Sequence, residues 1–100
     1  MIVTFVGKKE EAQLIARTLL KEHLVACVNV IDSVTSYYRW KGDIHEDPEL
    51  MLLCKTRPEL EEKVIKRIKE LHSYELPGIF AIDSTTKIFE PYYQWIVDET

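Results

Sequence analysis

Two short runs of this chain, IVTFV at residues 2–6 and LMLLCKT at residues 50–56, are apolar at almost every position. A strand wet on one face alternates polar with apolar residues. A strand without a polar face has to be covered on both sides, in the middle of a sheet. Each run leads into a stretch of helical period. After Gly7, residues 8–23 place Ala12, Ile15, Ala16 and Leu19 on one stripe, with Lys and Glu opposite. Thr56 opens a T-x-x-E capping box with Glu59, and Pro58 falls in a first turn where its missing N–H costs little. Leu60, Val64, Ile68 and Leu71 then line one face of a helix that ends near His72. Residues 24–31 and 78–83 read as two more apolar strands. Pro91 starts a last short helix with Tyr92, Trp95 and Ile96 as its apolar face.

The order is β-α-β-β-α-β with a terminal helix. Two split βαβ units joined by a hairpin predict an α+β, ferredoxin-like fold, an antiparallel sheet with two helices on one face. In that layout the first and third strands are central, which is where the two most uniformly apolar runs belong. No repeat, low-complexity tract or linker interrupts the chain, so residues 1–100 are expected to form a single domain. Pro48 predicts a bulge or an unpaired stretch in the third strand. The hairpin between the second and third strands extends from about residue 24 to 56 around a turn at Lys41-Gly42-Asp43. Its arms are far longer than the usual strand of about five or six residues, and two helices cannot cover such a ribbon. Tyr37, Tyr38 and Trp40 in its outer half would stand in water unless a partner covers them. Edge pairing of this hairpin in a closed homo-oligomer is the economical expectation.

Composition narrows the function. Seventeen acidic residues against thirteen Lys and Arg give a formal charge of −4, which argues against a nucleic-acid partner. RNA binding through sheet aromatics suits the fold class but lacks the basic balance and the aromatic pattern on the central strands. No apolar run approaches the roughly 20 residues a membrane span requires, and the first residues lack a signal-like pattern; a cytoplasmic protein is expected. Cys27 and Cys54 both sit in apolar runs and form no C-x-x-C pair, so both are expected to be buried, reduced thiols. No catalytic triad, nucleophile elbow, P-loop or H-E-x-x-H is present, and no enzymatic reaction is assigned.

Five segments, ACVNV at 26–30, SYYRWKGDIHED at 36–47, LMLLCKT at 50–56, LHSYELP at 71–77 and YYQWI at 92–96, together resemble the CutA, or divalent-cation tolerance, proteins in order and spacing across essentially the whole chain. The resemblance implies a subunit assembled into a homotrimer through its long hairpins, a cytoplasmic location, a role in tolerance of divalent cations such as Cu²⁺, and no enzymatic activity. It implies no required cofactor. It also brings an architectural likeness to PII-type signalling trimers, which bind small molecules between subunits. The chain departs from the family pattern at Ser73, where the family usually has proline, and at Gly78, where an acidic residue is frequent. Copper-binding members are credited with a cysteine at the place of Thr4 and two adjacent histidines at the places of Leu71 and His72. One of those three ligands, His72, remains, and the glycine usual before the last aromatic segment is absent from KIFEPYYQW.

His72, Tyr74 and Glu75 are therefore the candidate site. Imidazole and carboxylate suit copper or zinc, and a single subunit offers too few of them, so neighbouring chains would have to contribute. The other reading is structural: a histidine at a helix C-terminus satisfies free carbonyls, with Pro77 blocking continuation of the helix. Lys55 and Glu75 would meet across the subunit boundary as pocket lining or as an ion pair. Tyr37, Tyr38 and Trp40 are expected at trimer contacts, and Cys27 is expected as a structural thiol. His23 has a capping or solvated role, and His45 with Glu46 and Asp47 forms a solvated face or a contact rim. The partners expected are copies of the chain itself and divalent cations or small anions, with no nucleic acid and no membrane.

Overall fold

The computed structural model describes residues 1–83 and 87–100. Strand β1 (Ile2–Val6) leads into helix α1 (Lys9–Lys21), then come the hairpin strands β2 (Cys27–Trp40) and β3 (Asp43–Lys55). A 3-10 turn (Pro58–Leu60), helix α2 (Glu61–Leu71), strand β4 (Ile79–Ala81) and helix α3 (Glu90–Glu99) complete the chain. The sheet is antiparallel in the order β2-β3-β1-β4, so the two uniformly apolar runs are the central strands. Ile2 pairs with Cys54, Thr4 with Leu52 and Val6 with Leu50. These six residues share the face on which Ala12, Ile15 and Leu19 of α1 and Val64 and Ile68 of α2 complete the buried core. Truncating Leu52 or Ile15 to alanine there would cost about 2–5 kcal/mol.

Several local expectations are corrected. β2 begins at Cys27 rather than residue 24, because Leu24 closes α1: its N–H donates to the Leu19 carbonyl at 3.0 Å, while His23 N–H donates to Leu20 at 3.1 Å. That pair of bonds is a helix C-terminal motif with a left-handed residue, and His23 occupies it at φ 56°. The capping box does not form. The Thr56 hydroxyl donates instead to the Leu24 carbonyl at 2.7 Å, and the chain enters α2 through the 3-10 turn that Pro58 begins. The fourth strand is shorter than residues 78–83, although Ile82 and Met1 still exchange backbone bonds at its end. On α3 only Ile96 is buried, while Tyr92 and Trp95 stack on each other half-exposed, with centroids 5.6 Å apart.

The bulge lies elsewhere than Pro48. Pro48 is in register opposite Thr35, beyond the last β1 pair at Leu50, where one side of β3 is already free of a neighbour and a missing N–H is tolerated. The irregularity falls between Ile31, opposite Met51, and Val34, opposite Glu49, so β2 holds one extra residue there. Asp32 and Ser33 form it: the Asp32 carboxylate accepts the Ser33 N–H at 2.7 Å, and Ser33 adopts φ 63°. At the hairpin tip Lys41 (φ 50°) and Gly42 (φ 86°) make the two-residue turn with both φ values positive that matches strand twist.

Candidate functional site

His72 caps α2, and its side chain is fully buried. Nε2 lies 2.6 Å from the Phe5 carbonyl, which only accepts, so this nitrogen carries the proton. Nδ1 accepts the Tyr74 backbone N–H at 3.1 Å. Both ring nitrogens are thus engaged within the chain, and a cation would gain the Nδ1 lone pair only if the Tyr74 bond were released. Glu11 of α1 stands 3.4 Å from Nδ1 and accepts both the Ser73 N–H (2.6 Å) and the Ser73 hydroxyl (2.9 Å). Ser73, which stands where proline is usual, therefore ties the end of α2 to α1. Leu71 packs against the core. Thr4 is buried, and its hydroxyl donates to the Gly78 carbonyl at 2.8 Å, so two of the departures from the family pattern are bonded to each other.

Tyr74 reaches across the end of β1. Its ring lies 4.7 Å from that of His72, and its hydroxyl donates to Glu49 at 2.8 Å. Burial, then the bond to the Glu49 carboxylate, pushes the phenol above its usual range. Gly7 makes room for it: a Cβ there would come within 2.9 Å of the Tyr74 oxygen.

The bulge decides which hairpin side chains meet Tyr74. Before it, Cys27, Asn29 and Ile31 share a face with Met51, Leu53 and Lys55. The extra residue shifts the parity, so beyond it Tyr38 and Trp40 lie on that same face with His45, Asp47 and Glu49. Tyr37 and Ile44 fall on the opposite face and are 69% and 72% exposed. Tyr38 stacks on His45 at 5.3 Å and donates its hydroxyl to Asp47 at 2.6 Å; that bond holds its phenol above the ordinary value. Tyr38, Trp40, Asp47, Glu49, Tyr74 and Glu75 all line one open groove of about 770 Å³, floored by Phe5. Four of the sequence-selected residues (Tyr38, Trp40, Tyr74, Glu75) are therefore brought together, and Tyr37 is turned away.

Lys55 stands apart from that groove. It donates to Asn29 and lines a smaller cavity of about 210 Å³ with Met1, Tyr92 and Tyr93. Within the chain Lys55 and Glu75 thus line different cavities. Cys27, expected to be buried, is only half-buried because it lies on the sheet face opposite α1 and α2, with its thiol 3.9 Å from Asn29. Cys54 is buried on the helix face, where burial pushes its thiol up to about 12. Glu49 and Glu11 were not singled out from sequence. Glu49 had a legible signal, lying two positions from Asp47 on the same face of a strand, whereas Glu11 reads as one of several solvated helix acids. Among the described residues no group of three His, Cys, Asp or Glu side chains is placed to hold a metal ion, and none of their helices is long and apolar enough to cross a membrane.

Comparison with known proteins gives one consistent match. A family model described as the CutA1 divalent ion tolerance protein matches residues 1–99. The divalent-cation tolerance protein CutA of Pyrococcus horikoshii is 43% identical over 91% of this chain and 87% of its own length. That of Thermus thermophilus is 39% identical over 100% of this chain and 96% of its own. The solved Thermus thermophilus structure superposes with a TM-score of 0.94 at 38% identity, covering 99% of this chain and 95% of that one. A structure from Archaeoglobus fulgidus, described as a periplasmic divalent cation tolerance protein, superposes with a TM-score of 0.93 at 34% identity, over 98% and 94% of the two chains.

Proposed function

The chain belongs to the CutA1 divalent ion tolerance family, and on that footing we propose that it serves tolerance of, or response to, divalent cations such as Cu²⁺, as a cytoplasmic homotrimer without enzymatic activity. Family membership across nearly the whole chain is the observation that carries this reading. Self-association is supported by the hairpin: Tyr37 and Ile44 present adjacent large apolar groups on its outer half, well beyond the core that both helices cover. Tyr38 and Trp40 belong to the same contact hairpin and rim the cleft on its other face, and Cys27 serves as a structural thiol. The number three follows from the family resemblance.

Direct cation binding belongs where chains meet, because one subunit presents too few convergent ligands. Glu75 and Tyr74 supply oxygen from one chain, and Lys55 of another lies beside them as lining. His72 joins such a site only at the cost of its Tyr74 bond. Sedimentation at micromolar concentration is expected to give one species of three chain masses. Calorimetry with Cu²⁺ and Zn²⁺ on wild type, Glu75→Gln and His72→Gln tests the ligands. A monomer in sedimentation, or the absence of micromolar binding, overturns the reading, and unchanged binding in His72→Gln removes His72 from the site.

A second reading, a small-ligand trimer resembling PII-type proteins, is favoured by the size of the groove, which falls in the range of roughly 300–1,000 Å³ typical of small-molecule sites. Thermal-shift screening with nucleotides, anions and amines tests it, and a flat response removes it.

A further inference from the structure

The His72 side chain has no exposed surface in a single chain, and association with further copies cannot change that. Half of its arrangement would suit a metal ligand. An imidazole that binds a metal through one nitrogen usually donates its other N–H to a carbonyl or carboxylate, and Nε2 donates to the Phe5 carbonyl at 2.6 Å. The other nitrogen decides the matter. Nδ1 accepts the Tyr74 N–H at 3.1 Å, and the Tyr74 ring packs against the imidazole with centroids 4.7 Å apart. The next donor atom that could join a metal is Glu11 Oε1, 3.4 Å from Nδ1. Both oxygens of Glu11 are already taken by Ser73, one by its N–H at 2.6 Å and one by its hydroxyl at 2.9 Å. A metal centre needs about three or four protein donors, and among the described residues no group of His, Cys, Asp or Glu side chains provides them.

The same bonds perform another task. A side-chain acceptor on residue i that takes the N–H of residue i+2 is the device by which Asn and Asp fold a turn. His72 supplies it with an imidazole at the point where α2 ends. Its Nε2–H ties that turn to β1, and Ser73 ties it to α1 through Glu11. At the far end of the segment the Thr4 hydroxyl of β1 donates to the Gly78 carbonyl at 2.8 Å. Residues 72–78 are thus fastened at both ends, and Tyr74 and Glu75 leave the first fastening in a fixed direction. Moving the proton to Nδ1 would set N–H against the Tyr74 N–H and a lone pair against the Phe5 carbonyl, two repulsions in place of two bonds.

We infer that His72 is the positioning residue of this segment, an imidazole locked with its proton on Nε2 that orients Tyr74 and Glu75, and that it ligates no divalent cation. The roles of Tyr74 and Glu75 rest on the divalent-cation reading, and the role of His72 rests on its bonds alone.

The test is imidazole nitrogen NMR of the native protein before and after addition of Zn²⁺, a diamagnetic ion. His72 is expected as one neutral tautomer protonated at Nε2, with both nitrogen shifts unmoved by excess Zn²⁺. Two variants separate its two bonds. His72→Asn keeps an oxygen in the place of Nδ1 and loses the reach to Phe5, so exchange of the Tyr74 amide should stay as in wild type when measured against the β3 amides. His72→Gln keeps a donor toward Phe5 and loses the acceptor, so that exchange should accelerate roughly 5- to 30-fold. A Zn²⁺-induced shift at Nδ1, a mixture of tautomers, or equal Tyr74 exchange in the two variants overturns the inference. If calorimetry finds no Zn²⁺ binding at all, the divalent-cation reading falls, while tautomer and exchange still decide the role of His72.

Discussion

Replacing Thr4 by valine removes one hydroxyl and changes almost nothing else, and the structure says what that hydroxyl does. Thr4 is buried in central strand β1, pairs with Leu52 on one side and Ile79 on the other, and donates to the Gly78 carbonyl just before β4 begins. β4 has only three residues, so this bond is a substantial part of what fixes its start. Leaving the Gly78 carbonyl without its donor costs about 1–3 kcal/mol, while the extra methyl returns on the order of 0.8 kcal/mol. The expected net loss is therefore about 0.2–2 kcal/mol. For a domain of this size that corresponds to a fall in melting temperature of roughly 1–16 °C. Urea unfolding of both proteins at one fixed concentration is the assay, since stability depends on concentration wherever the folded state associates. The midpoint should fall with the slope unchanged, because the surface exposed on unfolding is the same. Amide exchange in β4 should accelerate more than in β3, because the lost bond adjoins β4 alone. An unchanged midpoint would refute the reasoning, showing that the Gly78 carbonyl finds water as readily as it finds Thr4.

Three other outcomes follow from single contacts. Cys54, with its thiol pushed up to about 12 by burial, should resist alkylation in the native protein at pH 8.5 and react once urea is added; mass spectrometry of the labelled chain reads this, and native labelling of Cys54 would contradict its burial. Tyr74 has a folded-state pKa above its unfolded value near 10, so its contribution to stability is complete below about pH 10 and is lost as pH rises through the folded value. The stability difference between wild type and Tyr74→Phe should accordingly shrink above pH 10, and a constant difference would mean the hydroxyl is not held in its protonated form. Gly42→Ala meets open space yet forces a methyl-bearing residue to φ 86°, so it should cost about 1 kcal/mol through backbone strain alone; a neutral effect in urea unfolding would show that the hairpin tip adopts another turn.

Hydrophobic period carried most of the fold because burial leaves its mark on every residue it touches. IVTFV and LMLLCKT have no polar face and lie between neighbours on both sides, and the helix stripes of Ala12, Ile15, Leu19, Val64 and Ile68 make the core. Polar pairings were less legible, since Thr56 has the same local pattern whether it caps a helix or reaches Leu24. The competing carbonyl lies 32 residues away and is visible only once the strands are paired. His72 shows the same limit from the other side. Its position at a helix end was readable, yet its use of both ring nitrogens depends on Phe5 and Tyr74, which the fold brings to it.

The groove itself depends on one residue that carries no chemistry. Strict alternation from Cys27, Asn29 and Ile31 would send Tyr37 and Arg39 to the face of Phe5 and Glu49, and Tyr38 and Trp40 to the face of the helices. The extra residue at Asp32–Ser33 reverses that assignment for the outer half of β2, while β3 continues its alternation unbroken through Asp47 and Glu49. Sequence showed three aromatics in a row of four and assigned them together, because nothing in Tyr37-Tyr38-Arg39-Trp40 reveals a slip made four residues earlier. Pro48 is the more conspicuous irregularity, yet it sits in register where β1 has already ended. Ser33 at φ 63°, held by the Asp32 carboxylate, is the true one. The bulge thus divides the outer hairpin between two faces. Tyr37 and Ile44 stand exposed on one, and Tyr38 and Trp40 join Tyr74 and Glu75 on the other.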